Sequence, residues 1–368
     1  MRVRVRLFAG IVATALVVAA CGGTASAPSA APATQAPKAT TAATTAPTAA
    51  PTAAGQLPKP EITTLRIGIS TPNEPVQFAQ KLADSLGIYK KYGFTSITVT
   101  GFEGDARALQ ALVAGQLDMF TGGASVAISS VVSDTPLKLV SMNSTVLTDG
   151  LWCTAAIKTP ADVKGKAVAI STFGGTSHGA ALLLLQGIGL TDKDATIQQV
   201  GNQGTRIAAL RGGSVGCAVV DMAQEKAMRD AGMNLLLDLS KSKLQWGRSG
   251  FMAKADFVAK NPNTVLVAVA AALEAQNSMW TDAATAAKHF AAFAQVKDDV
   301  ATQAVKDFQG YGSRSFKFTE DAFKAPKTVL AAANPAIAGA DISKAYDLGF
   351  LKKLEEIGFY KKIGAPTQ

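Results

Sequence analysis

Ser171 to His178 reads Ser-Thr-Phe-Gly-Gly-Thr-Ser-His and falls between an apolar run ending at Ile170 and a helix-like run beginning near Ala180. Strand, glycine turn and helix start in that order make one α/β unit. Gly174 and Gly175 let the backbone approach a ligand closely, and the hydroxyls of Thr176 and Ser177 lie where the orphan N–H groups of a helix start point outward. An ordinary N-cap after a tight turn has the same appearance. So does the G-x-S-x-G pattern of serine hydrolases, which Gly175-Thr176-Ser177-His178-Gly179 matches.

The unit has a counterpart earlier in the chain. Ile69-Ser70-Thr71, before the turn Pro72-Asn73-Glu74-Pro75, recurs as Ile170-Ser171-Thr172. Ala111-Leu112-Val113-Ala114-Gly115-Gln116-Leu117 recurs as Ala209-Leu210-Arg211-Gly212-Gly213-Ser214-Val215, each time ahead of a short strand-like run. Strands over 64–70, 96–102, 117–121 and 136–142 alternate with helices over 76–92 and 105–114, which calls for a mostly parallel sheet covered on both faces. The repetition predicts two similar α/β halves. A small-molecule site between them would be lined by loops at the carboxyl ends of their strands. The crossings are expected at 151–157 and 246–253. From Pro262 onward the pattern is helical, and those helices should pack on the first half. That gives one discontinuous lobe, 61–157 with 249–368, around a second at 158–248.

The chain is preceded by a targeting segment. Arg2, Arg4 and Arg6 open it, and the apolar run from Leu7 to Ala20 is shorter than the roughly 20 residues a bilayer span needs. Residues 1–20 therefore read as a secretory signal. Val18-Ala19-Ala20-Cys21 resembles a bacterial lipobox, whose cysteine is acylated and becomes the mature N-terminus, so Cys21 is the expected lipidation site and the protein extracytoplasmic and membrane-anchored. Residues 21–60 follow as the lipidated cysteine and a tether of nearly pure Ala, Thr, Pro and Ser, with too little bulky apolar content to fold.

Composition excludes several classes. Removing the leader takes three arginines and no acids, which lowers the formal charge from +9 to +6. The remaining Lys and Arg are scattered, a solvated basic surface rather than a nucleic-acid stripe. His178 and His289 are the only imidazoles, and with no Cys or His cluster the reading calls for no metal and no cofactor. Cys153 and Cys217 lie in apolar strand-like runs and read as two buried free thiols, although an oxidising exterior would permit a bridge.

Taken in order, Gly87-Ile88-Tyr89-Lys90-Lys91-Tyr92-Gly93-Phe94, Asp162-Val163-Lys164-Gly165-Lys166, Gly174-Gly175-Thr176-Ser177-His178, Ala209-Leu210 with Gly213 and Asp221, and the ending Asp347-Leu348-Gly349-Phe350-Leu351 to Gly358-Phe359 resemble the nitrate, sulfonate, taurine and thiamine-precursor (SsuA/THI5-like) type of ABC-transporter substrate-binding protein. The resemblance implies an α/β fold of the type II periplasmic-binding kind: two lobes, each with a mostly parallel sheet flanked by helices, joined by a two-strand hinge. It also implies a monomer that closes on a small-molecule ligand and docks on a membrane permease with a cytoplasmic ATPase.

For such a binder the expected ligand-facing groups are the turn at Asn73 and Glu74, the helix start Gly122, Gly123, Ala124 and Ser125, the turn Thr172, Gly174, Gly175, Thr176 and Ser177, and the strand end at Asp221. Trp152 and Trp246, at the expected crossings, are secondary candidates for an aromatic wall. Two helix starts favour an anionic or strongly polar group, while Asp221 and Glu74 suit a cationic or hydroxyl part of the same ligand. The competing enzyme reading needs Ser177 on a strained elbow with an acid and a histidine downstream. Phe173-Gly174-Gly175-Thr176 separates strand from serine, and His289 is the sole downstream histidine outside the motif. A binder, not an enzyme, is expected. The thiamine-pyrimidine synthases of the same fold carry a cysteine-rich motif that this chain lacks.

Overall fold

A computed structural model describes residues 55–242 and 244–367. The signal segment, Cys21 and the tether up to residue 54 lie outside the described residues. The chain begins with β1 (Thr64–Ile69), α1 (Ala79–Ser85), α2 (Ile88–Lys91), β2 (Ser96–Gly101), α3 (Asp105–Val113), β3 (Met119–Gly122), α4 (Ala124–Val131), β4 (Leu137–Leu139) and β5 (Ser144–Val146). Next come β6 (Asp149–Cys153), β7 (Ala167–Ile170), α5 (Thr176–Gly187), β8 (Thr196–Gln199), α6 (Gln203–Arg211), β9 (Cys217–Asp221), α7 (Glu225–Asp230) and β10 (Asn234–Asp238). The long β11 (Gln245–Lys254) leads into α8 (Ala255–Lys260), α9 (Pro262–Thr281), α10 (Ala283–Ala294), α11 (Asp298–Gln309), α12 (Asp321–Ala333), α13 (Gly349–Glu356) and α14 (Phe359–Ile363).

Two sheets result, and they share one plan. The first runs β2-β1-β3-β11-β4, the second β8-β7-β9-β6-β10. In each the first three strands are parallel and the next is antiparallel to them. The repeated Ile-Ser-Thr ends the central strands β1 and β7. The repeated Ala-Leu motif ends α3 and α6, where Gly115 (φ 72°) and Gly213 (φ 71°) adopt the left-handed conformation that lets the chain drop into the next strand.

Four expectations need correction. The second lobe begins ahead of β6, which belongs to its sheet, so the outward crossing is at β5 rather than at 151–157; β5 pairs β11 through Ser144–Ser249 and Val146–Gln245 to form the two-strand connection. The helix expected over 76–92 is broken at Gly87 (φ 68°), which ends α1 and opens α2. Cys153 and Cys217 are bridged, not free: they face each other across the antiparallel β6–β9 pair with Cα atoms 3.9 Å apart, a proximity that linear spacing does not reveal. Residues 55–60 are not tether. Leu57 packs on the first lobe's core, and the Gly55 N–H donates to the Ile357 carbonyl.

The first core spreads over the first sheet and takes in α9, α10, α11 and α13, as their apolar faces require. Helix α12 is shared, because its Ala325 and Val329 also pack against the second lobe. The second lobe has a core on each face of its sheet. Trp246 belongs to one and Trp152 to the other, and both side chains are fully buried. A Cβ at Gly179 would lie 2.4 Å from the Trp246 ring, so that glycine admits the indole beneath α5.

Candidate functional site

The carboxyl ends of the parallel strands in the two sheets face each other. The loops after β1 and β7 and the starts of α3, α4 and α5 meet there, on a small polar cavity of about 20 Å³ lined by Thr71, Glu74, Asp105, Asp149, Arg206 and Arg248, with Ser171, Thr176 and Ser177 completing its wall. Beyond Thr148 and Asp221 a wider groove of about 730 Å³ opens between α7 and α11, floored in part by Tyr311. Two further hollows of about 550 and 770 Å³ lie where residues 56–60 cross the first lobe, away from these strand ends.

The lobes are in direct contact at this face. Asp105, at the first position of α3, accepts the Thr176 N–H at 3.0 Å, so a carboxylate of the first lobe caps the start of α5 in the second. The Ala106 N–H donates to Thr172 Oγ1 at 3.3 Å, and Glu103 accepts from the Asn202 backbone and amide at 2.8 and 2.6 Å. Gly123 has φ −91°, open to any residue, but a Cβ there would sit 2.0 Å from Thr176 Oγ1 and 2.8 Å from the Arg248 carbonyl. Glycine is required for the close approach, not for the backbone conformation.

Behind the cavity lies a buried charge network. Asp149 and Asp221 are cross-strand partners on β6 and β9, a like-charged pair that is unfavourable by itself. Arg248, projecting from β11, answers both: Nη2 donates to Asp221, Nη1 to Thr148, and Nε is 3.8 Å from Asp149. It also reaches Glu74 at 3.3 Å, and Arg206 stands 3.9 Å from the same carboxylate. Burial opposes the charge on Arg248, but Asp221 and Asp149 outweigh it and hold its pKa well above the usual value. Burial lowers the pKa of Arg206 and raises those of Asp105, Asp149 and the Tyr311 hydroxyl.

Burial also pushes Glu74 up from 4.5 to about 7, despite Arg248 and Arg206. The folded protein thus holds a proton that the unfolded chain releases near 4.5. The stabilisation from that proton is full below 4.5 and is lost as pH rises through about 7. Glu74→Gln should remove this slope. Comparing urea unfolding at pH 5 and pH 8, wild type is expected to lose up to about 3 kcal/mol more than the variant, at about 1.36 kcal/mol per pKa unit. Equal losses would show that Glu74 does not titrate in this window.

The other sequence-derived candidates are placed as follows. Glu74, Thr176 and Ser177 line the cavity, and Gly123, Gly175 and Thr172 form the close contact between lobes. Asn73 (φ 77°) sits half-buried in the turn outside it. Gly122 packs on Phe120 and Met252, and Ala124 beside Gly247 in the first lobe; Ser125 is buried near Gly179 with its hydroxyl unpartnered. Gly174 (φ 76°) is partly exposed, and its N–H donates to His178 Nδ1 at 3.2 Å. Asp221 both caps the turn after β9, accepting the Ala223 N–H at 2.7 Å, and pairs with Arg248. Trp152 and Trp246, buried in the second lobe's cores, give the cavity no aromatic wall. Ser177 Oγ is bonded to the Ser171 hydroxyl at 2.6 Å and accepts the Ser171 N–H at 2.8 Å, with no imidazole on it among the described residues.

Asp105, Asp149, Arg206 and Arg248 were not among the candidates. The signal for two of them was a single charge in an otherwise apolar strand: Arg248 within Trp246–Ala253, and Asp149 just ahead of Leu151 and Trp152.

Several solved structures have this fold. A protein from Bordetella bronchiseptica RB50 superposes with TM-score 0.72 at 20% identity, covering 81% of this chain and 99% of its own. The alkanesulfonate-binding protein SsuA from Xanthomonas axonopodis pv. citri, bound to MOPS, gives 0.65 at 20% identity, covering 78% and 99%. The nitrate-binding protein NrtA from Synechocystis PCC 6803 gives 0.62 at 16%, covering 83% and 89%. These likenesses establish the type II periplasmic-binding fold. No curated protein sequence matches the chain. The family model described as NMT1/THI5 like matches residues 79–287, more than half of the chain, and the chain belongs to that family.

Proposed function

We propose that the chain is the solute-binding component of an ABC importer, capturing a small polar solute between its lobes and delivering it to a membrane permease served by a cytoplasmic ATPase. The observation that carries this reading is the convergence of two like sheets, strand ends foremost, on one buried polar cavity, with the paired strands β5 and β11 running from one to the other. Such a connection bends more readily than a packed domain interface, so the lobes part and close around a solute. The cavity itself has room for about one water molecule, so a solute enters only when the contacts from Asp105, Glu103 and Gly123 have opened. The alkanesulfonate- and nitrate-binding proteins of similar fold suggest sulfonates and nitrate as first solutes to try, and the family resemblance adds taurine and pyrimidines. In this reading Cys21 is lipidated, the protein works outside the cytoplasm as a monomer, and the lobes bind without catalysing a reaction.

A thermal-shift panel of these compounds, amino acids and aromatic acids tests it. A solute selective for the folded state stabilises it by about 2.7 kcal/mol at a hundredfold excess over its Kd. Gly123→Ala, whose methyl group would press on the Arg248 carbonyl as well as on Thr176, should lose some stability and bind any hit about tenfold or more weakly, because the methyl group holds the two helix starts apart. A hit that binds Gly123→Ala and wild type alike would place the solute elsewhere.

A further inference from the structure

The charges around the cavity do not balance. Glu74, Asp105 and Asp149 line it with Arg206 and Arg248, and Asp221 lies against Arg248, so four buried carboxylates share two guanidiniums. The guanidiniums are already committed. Arg248 donates to Asp221 and Thr148, and Arg206 donates to the Val219 and Gly201 carbonyls at 2.8 and 3.0 Å. Asp105 accepts the Thr176 N–H at the start of α5. Asp149 is supplied least: Arg248 Nε stands 3.8 Å from its Oδ2, and among the described residues that oxygen accepts no hydrogen bond, although the residue is only 5% exposed and forms part of the cavity wall.

On the reading of this chain as a solute-binding component, we propose that its solute carries a cationic nitrogen, an ammonium, amidinium or guanidinium group, that donates to Asp149 Oδ2 on the wall shared with Glu74. A buried carboxylate oxygen without a donor carries its full desolvation cost, and a cationic N–H group removes that cost while bringing the inventory nearer to neutrality. An anion meets the opposite situation. The start of α5 that would hold it is occupied by Asp105, and it would share the cavity with three carboxylates. Burial raises the proton affinities of Glu74, Asp105 and Asp149, and for Glu74 and Asp149 it outweighs Arg248 and Arg206. The groove beyond Thr148 and Asp221 offers room for the rest of such a solute.

The test is a thermal-shift series at pH 7.5 on the whole mature chain with agmatine and putrescine, with choline as a cation that has no N–H to donate and should be silent, against nitrate and methanesulfonate. Agmatine or putrescine is expected to raise the midpoint, and nitrate and methanesulfonate are expected not to. Asp149→Asn, which keeps the shape and removes the charge, should raise the half-maximal concentration of the active amine about tenfold or more. If Asp149→Asn does not unfold cooperatively, the wild-type series decides alone. A shift from the anions without one from the amines overturns the charge assignment and leaves the solute-binding reading standing. An equal response of Asp149→Asn and wild type overturns the role of Asp149. Silence from all five compounds also overturns the assignment, and the solute-binding reading is then judged by the broader panel described above.

Discussion

Replacing Arg248 by methionine is expected to destabilise the protein by about 3–5 kcal/mol at pH 7.5, the range for removing one partner of a buried ion pair. Arg248 is the group through which Asp149 and Asp221, directly opposite on β6 and β9, tolerate each other, and it also serves Glu74. Without it three buried carboxylates face each other with only Arg206 nearby. The sign of the pH effect follows. Glu74 and Asp149, whose pKa values burial already raises, bind protons still more tightly in the folded variant, so its deficit shrinks toward pH 5. Denaturant unfolding at the two pH values measures both effects. A deficit below about 1 kcal/mol, or one that grows on acidification, would mean that Arg248 does not neutralise these carboxylates.

The second large effect belongs to the bridge between Cys153 and Cys217. It closes a loop with a sequence separation of 64, and the chain-entropy relation gives about 4 kcal/mol for a loop of that size. The double substitution Cys153→Ala with Cys217→Ala should cost the second lobe about that much. Fluorescence can localise the loss. Trp152 and Trp246 are buried in the second lobe's cores, whereas Trp280 packs with the first. The indole signal of the first two should change at lower denaturant than that of a Trp152→Phe, Trp246→Phe variant reporting from Trp280 alone. Coincident transitions would show instead that the lobes unfold as one cooperative body.

The two-lobe plan was legible because it is written twice. Ile-Ser-Thr and the Ala-Leu motif with its glycine recur where the same strand ends and helix ends recur, and the long alanine-rich helices after Pro262 have no strand among them in the described residues. The turns where the lobes meet were legible to the extent that backbone geometry marks them: Gly123, Gly175 and Thr176 do stand at helix starts. What escaped depends on partners distant in sequence. Asp105 looks like an ordinary acidic first-turn residue until the start of α5, 71 positions later, turns out to need its carboxylate. Arg248 and Asp149 lie in apolar strands, where periodicity marks which face is buried but not whether a charge there has found its counter-ion. The disulfide escaped for the same reason, since register between β6 and β9 is a tertiary fact.

Strand β11 has one more consequence, which concerns the order of assembly. The second lobe is a single uninterrupted stretch whose sheet is complete once β10 has formed, and its bridge lies wholly within it. The first lobe cannot finish so early: β3 lacks its antiparallel neighbour, and α1 lacks α9 above it, until the chain has left, built the other lobe and returned. As the polypeptide lengthens, the inserted lobe can therefore reach its native packing first, while the lobe whose synthesis began earlier waits with an open sheet edge.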